Sequence, residues 1–391
     1  MDNPNDQVHR RENFILINKM ISNRSRNTEY ANSANPYGYH LGQGTLFSYV
    51  NGYEYRDIQD AWDWNLIPGT TVLLDQPKLN SSYAGVTGKQ SFVGVVSDGW
   101  VGTSVEDYVD PHDASLSYRK VWFFLDDSVF ITISKVVTNT SSDAPVITVP
   151  DQRLADQSGV YVDGKSIDAA STTEMIGRSL YYGGNAYLSY ATPFNLTLSE
   201  SSRTGNWSAI STSTIGNTTV PIFSAYTTIP LDTKSYSYAF FPSFTRGRLA
   251  EELAGLITTS IEINGTLGAA GGERLSLVFW PGSGLNATVP LSAIGWGSSG
   301  DFTFKVSQPS VFLFATRLNG DGTQTLVVTF ADPTQLLTDL SFSLSITNGK
   351  LQCTEIDWDD GCSAQGDGVR FNVGLPSGGL AGSSVFRDVL M

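Results

Sequence analysis

Residues 120–137 read KVWFFLDDSVFITISKVV: two runs of β-branched and aromatic residues, Val121–Leu125 and Val129–Val137, on either side of Asp126-Asp127. Such residues suit a pleated, half-buried surface, and the paired aspartates supply turn chemistry, so the stretch predicts two strands joined by a tight turn. The same grammar recurs. Ser235-Tyr-Ser-Tyr-Ala-Phe-Phe241, Thr325-Leu-Val-Val-Thr-Phe330 and Leu340-Ser-Phe-Ser-Leu-Ser-Ile346 are short and largely alternate with period two, and Asp163-Gly164, Asn264-Gly265 and Asn319-Gly320 mark turns. One segment reads as helix: residues 248–258, RLAEELAGLIT, place Leu249, Leu253 and Leu256 on one face and Glu251-Glu252 on the other. The chain is therefore expected to be all-β, with stacked antiparallel sheets whose turns and corners use its 38 glycines.

At 391 residues the chain exceeds one ordinary domain of about 150 residues. From about Gly297 the strands shorten and turns become regular, which predicts a large β domain over residues 1–304 and a small β-sandwich over residues 305–391. With 40% apolar and only 16% charged residues, a folded core is expected rather than disorder. No apolar run approaches the roughly 18 residues of a bilayer span, so no membrane crossing is expected. A formal charge of −14 opposes attraction to nucleic acid and to anionic membranes. An acidic chain that binds an acidic polysaccharide must concentrate its arginines locally, as His9-Arg10-Arg11 and Arg24-x-Arg26 do, although paired arginines are also ordinary solvated charge.

Familiar catalytic signatures are missing: there is no G-x-S-x-G, H-E-x-x-H or Walker loop. A zinc site would need His9, His40 and His112 to converge from distant positions, so neither a metal nor another cofactor is expected. Cys353 and Cys362 could close a hairpin loop as a disulfide or remain thiols. Asn23, Asn80, Asn139, Asn195, Asn206, Asn217, Asn264 and Asn286 each stand in N-x-S/T, where chance predicts roughly four, an excess that favours secretion. The start, Met1-Asp-Asn-Pro, lacks a basic stretch and an apolar leader, so the expectation is either a cytosolic chain or part of a longer secreted one.

Residues 22–74, SNRSRNTEYANSANPYGYHLGQGTLFSYVNGYEYRDIQDAWDWNLIPGTTVLL, interleave amides, aromatics, one imidazole and glycines. Sugars are recognised by such mixtures, since a pyranose face stacks on Trp or Tyr while its hydroxyls need fixed polar partners. Arg24, Arg26, Asn32, Asn35, His40, Gln43, Trp62 and Trp64 are the candidate carbohydrate-binding residues. The alternative is that Trp62 and Trp64 are core and the glycines shape turns.

Within this stretch, Tyr30-x-Asn32-x-x-Asn35-x-x-Gly38-Tyr39-x-x-Gly42-x-Gly44 is followed by Trp62 and by Pro68-Gly69-Thr70-Thr71. Further along come Lys120-Val-Trp122, Asp151-Gln152-Arg153, Gly205-x-Trp207, Tyr236-x-Tyr238-x-x-x-Pro242 and Asp332-Pro333-Thr334, with His9-Arg10-Arg11-x-x-Phe14 before them all. This ordered set resembles the central β domain of the family 8 polysaccharide lyases, the hyaluronate, chondroitin and xanthan lyases. The resemblance implies an N-terminal α/α toroid, then a large antiparallel, galactose mutarotase-like β-supersandwich, then a small C-terminal β-sandwich. This chain begins where the second part should begin, so the toroid is expected to be absent. It also implies an extracellular setting, an acidic polysaccharide partner of the hyaluronan, chondroitin or xanthan kind, and no metal or redox cofactor.

The chemistry so implied is β-elimination at a uronic acid: the C5 proton leaves, the carboxylate is neutralised, and the C4 oxygen is protonated as it departs. In the family the Asn, His, Tyr and Arg that do this come from the toroid, so no catalytic residue maps onto this chain. The β domain's own Glu, in Asn-x-Glu-Asn, is replaced by Ala34. His40 or a tyrosine would sit on an open shelf without the missing wall, where water exclusion and positioning fail. The chain alone is expected to bind rather than turn over. A non-catalytic carbohydrate-binding protein is the alternative.

Overall fold

A computed structural model describes residues 5–31, 34–248, 259–263, 265–271, 273–354 and 361–391. Strands account for 51% of the protein and helical turns for 5%, which settles the all-β expectation. Leu116–Phe124 and Val129–Thr138 are hydrogen-bonded neighbours joined through a bend at Asp126 and Asp127, as their sequence predicts. The helix expected over 248–258 lies outside the described residues from 249 onward; Arg246–Arg248 form a short 3-10 turn.

The chain folds as two compact units, one made of Met1–Val93, Glu106–Trp122 and Asp127–Ala254, the other of Gly94–Val105, Phe123–Asp126 and Gly255–Met391. In the first unit, Asp6–Arg10, Ile15–Lys19 and Thr45–Tyr49 form a three-stranded antiparallel sheet. A five-stranded antiparallel sheet runs in the spatial order Thr173–Gly177, Phe194–Asn206, Asn217–Thr228, Val146–Leu154, Thr71–Leu73. Val146–Leu154 is buried along almost its whole length, as befits an interior strand whose residues are apolar or tightly hydrogen-bonded. A further antiparallel set in this unit runs in the order Val160–Val162, Ser179–Tyr182, Asn185–Tyr190, Ser235–Phe241, Val129–Thr138.

The second unit holds a seven-stranded and a five-stranded sheet. Alternation along Asp301–Val306 and Ser310–Leu318 points Phe302, Phe304, Phe312 and Phe314 into one buried core. Phe304, from the five-stranded sheet, meets Phe312, from the seven-stranded one, edge-on with ring centres 4.6 Å apart, so the two sheets form a sandwich. Cys353 and Cys362 are bonded, with 6.0 Å between their Cα atoms, and tie the last strand of one sheet to the last strand of the other.

Two glycines fix the loop that matters for function. A Cβ on Gly205 would lie 1.8 Å from the carbonyl oxygen of Asp60, and one on Gly69, at φ +86, would lie 2.2 Å from the amide nitrogen of Leu46. Only glycine lets the backbone approach this closely. The segment from Asp60 to Gly69 is thereby laid against the strands Phe194–Asn206 and Thr45–Tyr49, beside a small core of Tyr55, Ile58, Trp62, Ile67 and Ile222.

Candidate functional site

The tryptophan turn is built from local backbone bonds and one buried amide. Trp62 N donates to Ile58 O at 2.8 Å and Leu66 N to Asp63 O at 2.9 Å, curling the chain around Asp63. Gln152, wholly buried, accepts from Asp63 N at 2.7 Å and donates to Asp63 O and Leu66 O, both at 2.9 Å. This is why an amide stands between Asp151 and Arg153: no other side chain of that length both donates and accepts. Its neighbours form a buried ion pair at 2.8 Å, with Tyr187 donating to Asp151 and the Arg153 guanidinium 5.9 Å from the Tyr55 ring centre.

Around this turn opens a broad cleft of about 400 Å³. Its aromatic wall is Tyr37, Trp62 and Trp64; Asp63, Asn65, Leu79 and Arg203 complete it. Trp62 and Trp64 stand edge to face, 5.3 Å apart at 89°, and Tyr37 lies 6.4 Å from Trp64. Trp62 is only 7% exposed and belongs to the small core as well, whereas Trp64 and Tyr37 are half-buried and leave ring surface for a ligand. Asp63 Oδ1 holds Asn65 through its backbone and side-chain nitrogens, at 2.9 and 3.2 Å. A stacking surface, an amide and a guanidinium are the groups an acidic sugar requires.

Of the sequence candidates, the structure brings Trp62 and Trp64 together at the cleft, and the other described ones do not line it. Arg24 gives its guanidinium to the carbonyls of Ser91 and Val93, at 2.9 and 2.7 Å. Arg26 is exposed and bridges to Thr87. Asn35 is exposed, sits at φ +58 and donates weakly to Glu29 O at 3.4 Å, while Asn32 lies outside the described residues. Ala34, where the family pattern has Glu, donates to Ala31 O in a tight turn. Arg203, Asn65, Tyr37 and Leu79 were not among the candidates.

His40 and Gln43 form a buried pair in the short 3-10 turn Gly38–Gly42 and its end. Gln43 Nε2 donates to Thr71 O at 2.7 Å, which leaves its oxygen to accept from His40 Nδ1, also at 2.7 Å. Burial lowers the imidazole pKa, so the ring is neutral, and its Nε2 has no partner among the described residues. Tyr39 donates to both oxygens of Asp110, at 2.9 and 3.0 Å, and burial first, then the Asp110 charge, push its phenol far above the ordinary range. Neither group is poised as a base.

Beneath the turn, Glu106 accepts from Ile21 N at 3.1 Å and from Tyr118 Oη at 3.2 Å, and Lys120 donates to Gly69 O and Thr71 Oγ1. Burial raises Glu106 to about 8 and lowers Lys120 to about 7. No cluster of His, Cys, Asp and Glu able to hold a metal occurs among the described residues.

The description "polysaccharide lyase family 8, super-sandwich domain" matches residues 3–253. The chain belongs to polysaccharide lyase family 8. Against the chondroitinase AC of Pedobacter heparinus, this family 8 chain is 30% identical over 210 residues, covering 52% of itself and 29% of the relative. Against the hyaluronate lyase HylA of Cutibacterium acnes it is 25% identical over 209 residues, covering 51% and 24%. The chain thus spans less than a third of the length of these curated relatives. The Paenibacillus xanthan lyase structure superposes with a TM-score of 0.80 at 18% identity, over 99% of this chain and 37% of that one. The Streptomyces coelicolor chondroitin AC lyase gives 0.75 at 22%, over 99% and 48%. These likenesses carry the fold: the supersandwich expected of the family 8 chain is the architecture it has.

Proposed function

We propose that this chain is the β portion of a polysaccharide lyase that cleaves uronic-acid-containing polysaccharides by β-elimination, and that these residues alone hold the polymer without breaking it. The observation that supports binding is the cleft that sets Trp64 and Tyr37 beside Asn65 and Arg203. The observation that argues against turnover is chemical. Elimination needs a base at C5 and an acid at the leaving oxygen. Tyr39 is committed to Asp110, and the neutral His40 is buried with its Nδ1 held by Gln43. The proton-moving groups are therefore assigned to an α/α toroid outside these residues, and the acidic polymers named for the relatives are the proposed ligands.

Secretion and N-linked glycans belong to the same proposal. Asn23, Asn80, Asn139, Asn195, Asn206, Asn217 and Asn286 are all exposed, as glycan attachment requires; Asn264 lies outside the described residues.

The test is titration of the 391-residue chain with hyaluronan, chondroitin and xanthan oligosaccharides, with product followed by the ultraviolet absorbance of the unsaturated uronate. Binding without product is expected for the chain alone, and product when a family toroid is supplied. Binding that never yields product, even with the toroid, would favour a non-catalytic carbohydrate-binding protein. No binding to any acidic polymer would overturn the proposal.

A further inference from the structure

Several arginines of this acidic protein are held by carboxylates. Arg119 pairs with Asp107, Arg153 with Asp151, Arg274 with Asp98 and Arg317 with Asp388, at 3.5, 2.8, 2.7 and 2.9 Å. Arg203 is different. It stands half-buried on the strand Phe194–Asn206, opposite Val220 in the ladder, and makes one long hydrogen bond, Nη2 to Ser224 Oγ at 3.4 Å. It has no carboxylate partner among the described residues, although the protein carries 38 Asp and Glu against 24 Lys and Arg. Its place is in the wall of the tryptophan cleft.

Two other side chains of that wall are also unsatisfied. Trp62 Nε1, a donor, and Asn65 Oδ1, an acceptor, are buried without hydrogen-bond partners among the described residues. Unpaired buried groups of this kind cost stability, and the packing around the turn tolerates them. The one acid in the wall, Asp63, has an oxygen engaged by Asn65.

We propose that Arg203 reads the negative charge of an acidic sugar bound in this cleft, a uronate carboxylate or a sulfate ester, while Trp64 carries the stacking. A guanidinium presents a planar fork that matches either anion with two parallel bonds. Half-burial removes part of the competing water, and the neighbouring rings hold the sugar so that its anionic group falls within reach. The proposal rests on the polysaccharide-binding reading above and adds to it the residue that selects for charge.

The experiment is calorimetric titration of the full chain and its R203Q, R203K and W64A variants with three tetrasaccharides: hyaluronan, chondroitin sulfate and carboxyl-reduced hyaluronan. Thermal unfolding confirms that each variant is folded. R203Q is expected to weaken hyaluronan binding about tenfold, to leave the carboxyl-reduced sugar unaffected, and to be partly restored by R203K. An equal loss for both acidic sugars assigns the carboxylate; a larger loss for chondroitin sulfate assigns the sulfate. If R203Q does not fold, the wild type decides: its preference for the acidic over the reduced sugar must shrink as salt rises. Acidic-sugar binding unchanged in R203Q but lost in W64A overturns the role of Arg203 and leaves the cleft reading standing. Binding unchanged in both variants overturns the cleft reading itself.

Discussion

Gly205 and the carbonyl of Asp60 touch so closely that a single added methyl would lie 1.8 Å from the oxygen. The contact presses the tryptophan turn onto the strand that carries Arg203, so two segments far apart in sequence share one wall. Gly205→Ala must push them apart. It is expected to cost about 3 kcal/mol in urea unfolding, at the upper end of ordinary overpacking, and to abolish oligosaccharide binding in whatever fraction stays folded. Unchanged stability and affinity would mean the contact does not position the cleft.

Gln152 satisfies both backbone groups of Asp63 and the carbonyl of Leu66. Gln152→Ala leaves Asp63 N and Leu66 O without this partner and takes one of two bonds from Asp63 O, and an expected loss of about 3 kcal/mol follows. Because the clasp holds the turn between Trp62 and Leu66, oligosaccharide affinity should fall with it. A variant with full affinity and normal stability, by calorimetry and denaturant titration, would place the turn's rigidity elsewhere.

The fold could be read in Phe302 to Phe314, because period-two alternation and burial are two faces of one constraint, and in Val121–Phe124, an unbroken β-branched and aromatic run that is buried throughout. Trp62 and Trp64 could be read for the same local reason: a tight aromatic turn announces itself. Arg203 could not. It sits in the run Ser201-Ser202-Arg203-Thr204, and nothing in that string says which strand will face a cleft built from residues 37, 62–65 and 79. Arg24 shows the converse difficulty. Its carbonyl partners lie 67 and 69 residues downstream, so an arginine that looks free in sequence is a clamp in space. The pairing of His40 with Gln43 was nearer to hand, since residues three apart on a helical turn share a face.

Cys353 and Cys362 join the two sheets of the second unit. The cross-link closes a short loop, for which chain entropy predicts about 3 kcal/mol of stabilisation. Replacing both cysteines with serine, or adding reductant during urea unfolding, should lower the midpoint accordingly. An unchanged midpoint would show that the sandwich core holds those strands without the bond.

The Glu106 and Lys120 pair makes stability depend on pH in a way that one substitution exposes. Burial raises Glu106 from 4.5 to about 8, so its contribution is fully present below 4.5 and is lost as pH rises through about 8. Lys120 moderates this by favouring the carboxylate. Lys120→Met removes the donor to Gly69 O and Thr71 Oγ1 and is expected to cost about 1–3 kcal/mol; with the charge that favours the carboxylate gone, the decline with rising pH should also extend beyond about 8. Adding Glu106→Gln removes the titrating group and should flatten the profile. Urea unfolding across that range decides it; a flat profile for the single variant would show that the carboxylate reaches water.

His40 offers the sharpest check on the assignment of roles. Its pKa is lowered from 6.5, with burial the largest cause, so the folded protein refuses a proton that the unfolded chain accepts. Its contribution to stability is therefore present above 6.5 and is lost as pH falls toward the lowered value. Nitrogen-detected NMR should find a neutral ring protonated on Nδ1, the nitrogen facing Gln43, whose resonances stay flat through 6.5. Gln43→Leu removes the acceptor that fixes this tautomer and should cost about 2 kcal/mol, while oligosaccharide affinity holds because neither residue lines the cleft. An imidazole titrating at its ordinary value would place His40 in contact with solvent and return it to consideration as a proton carrier.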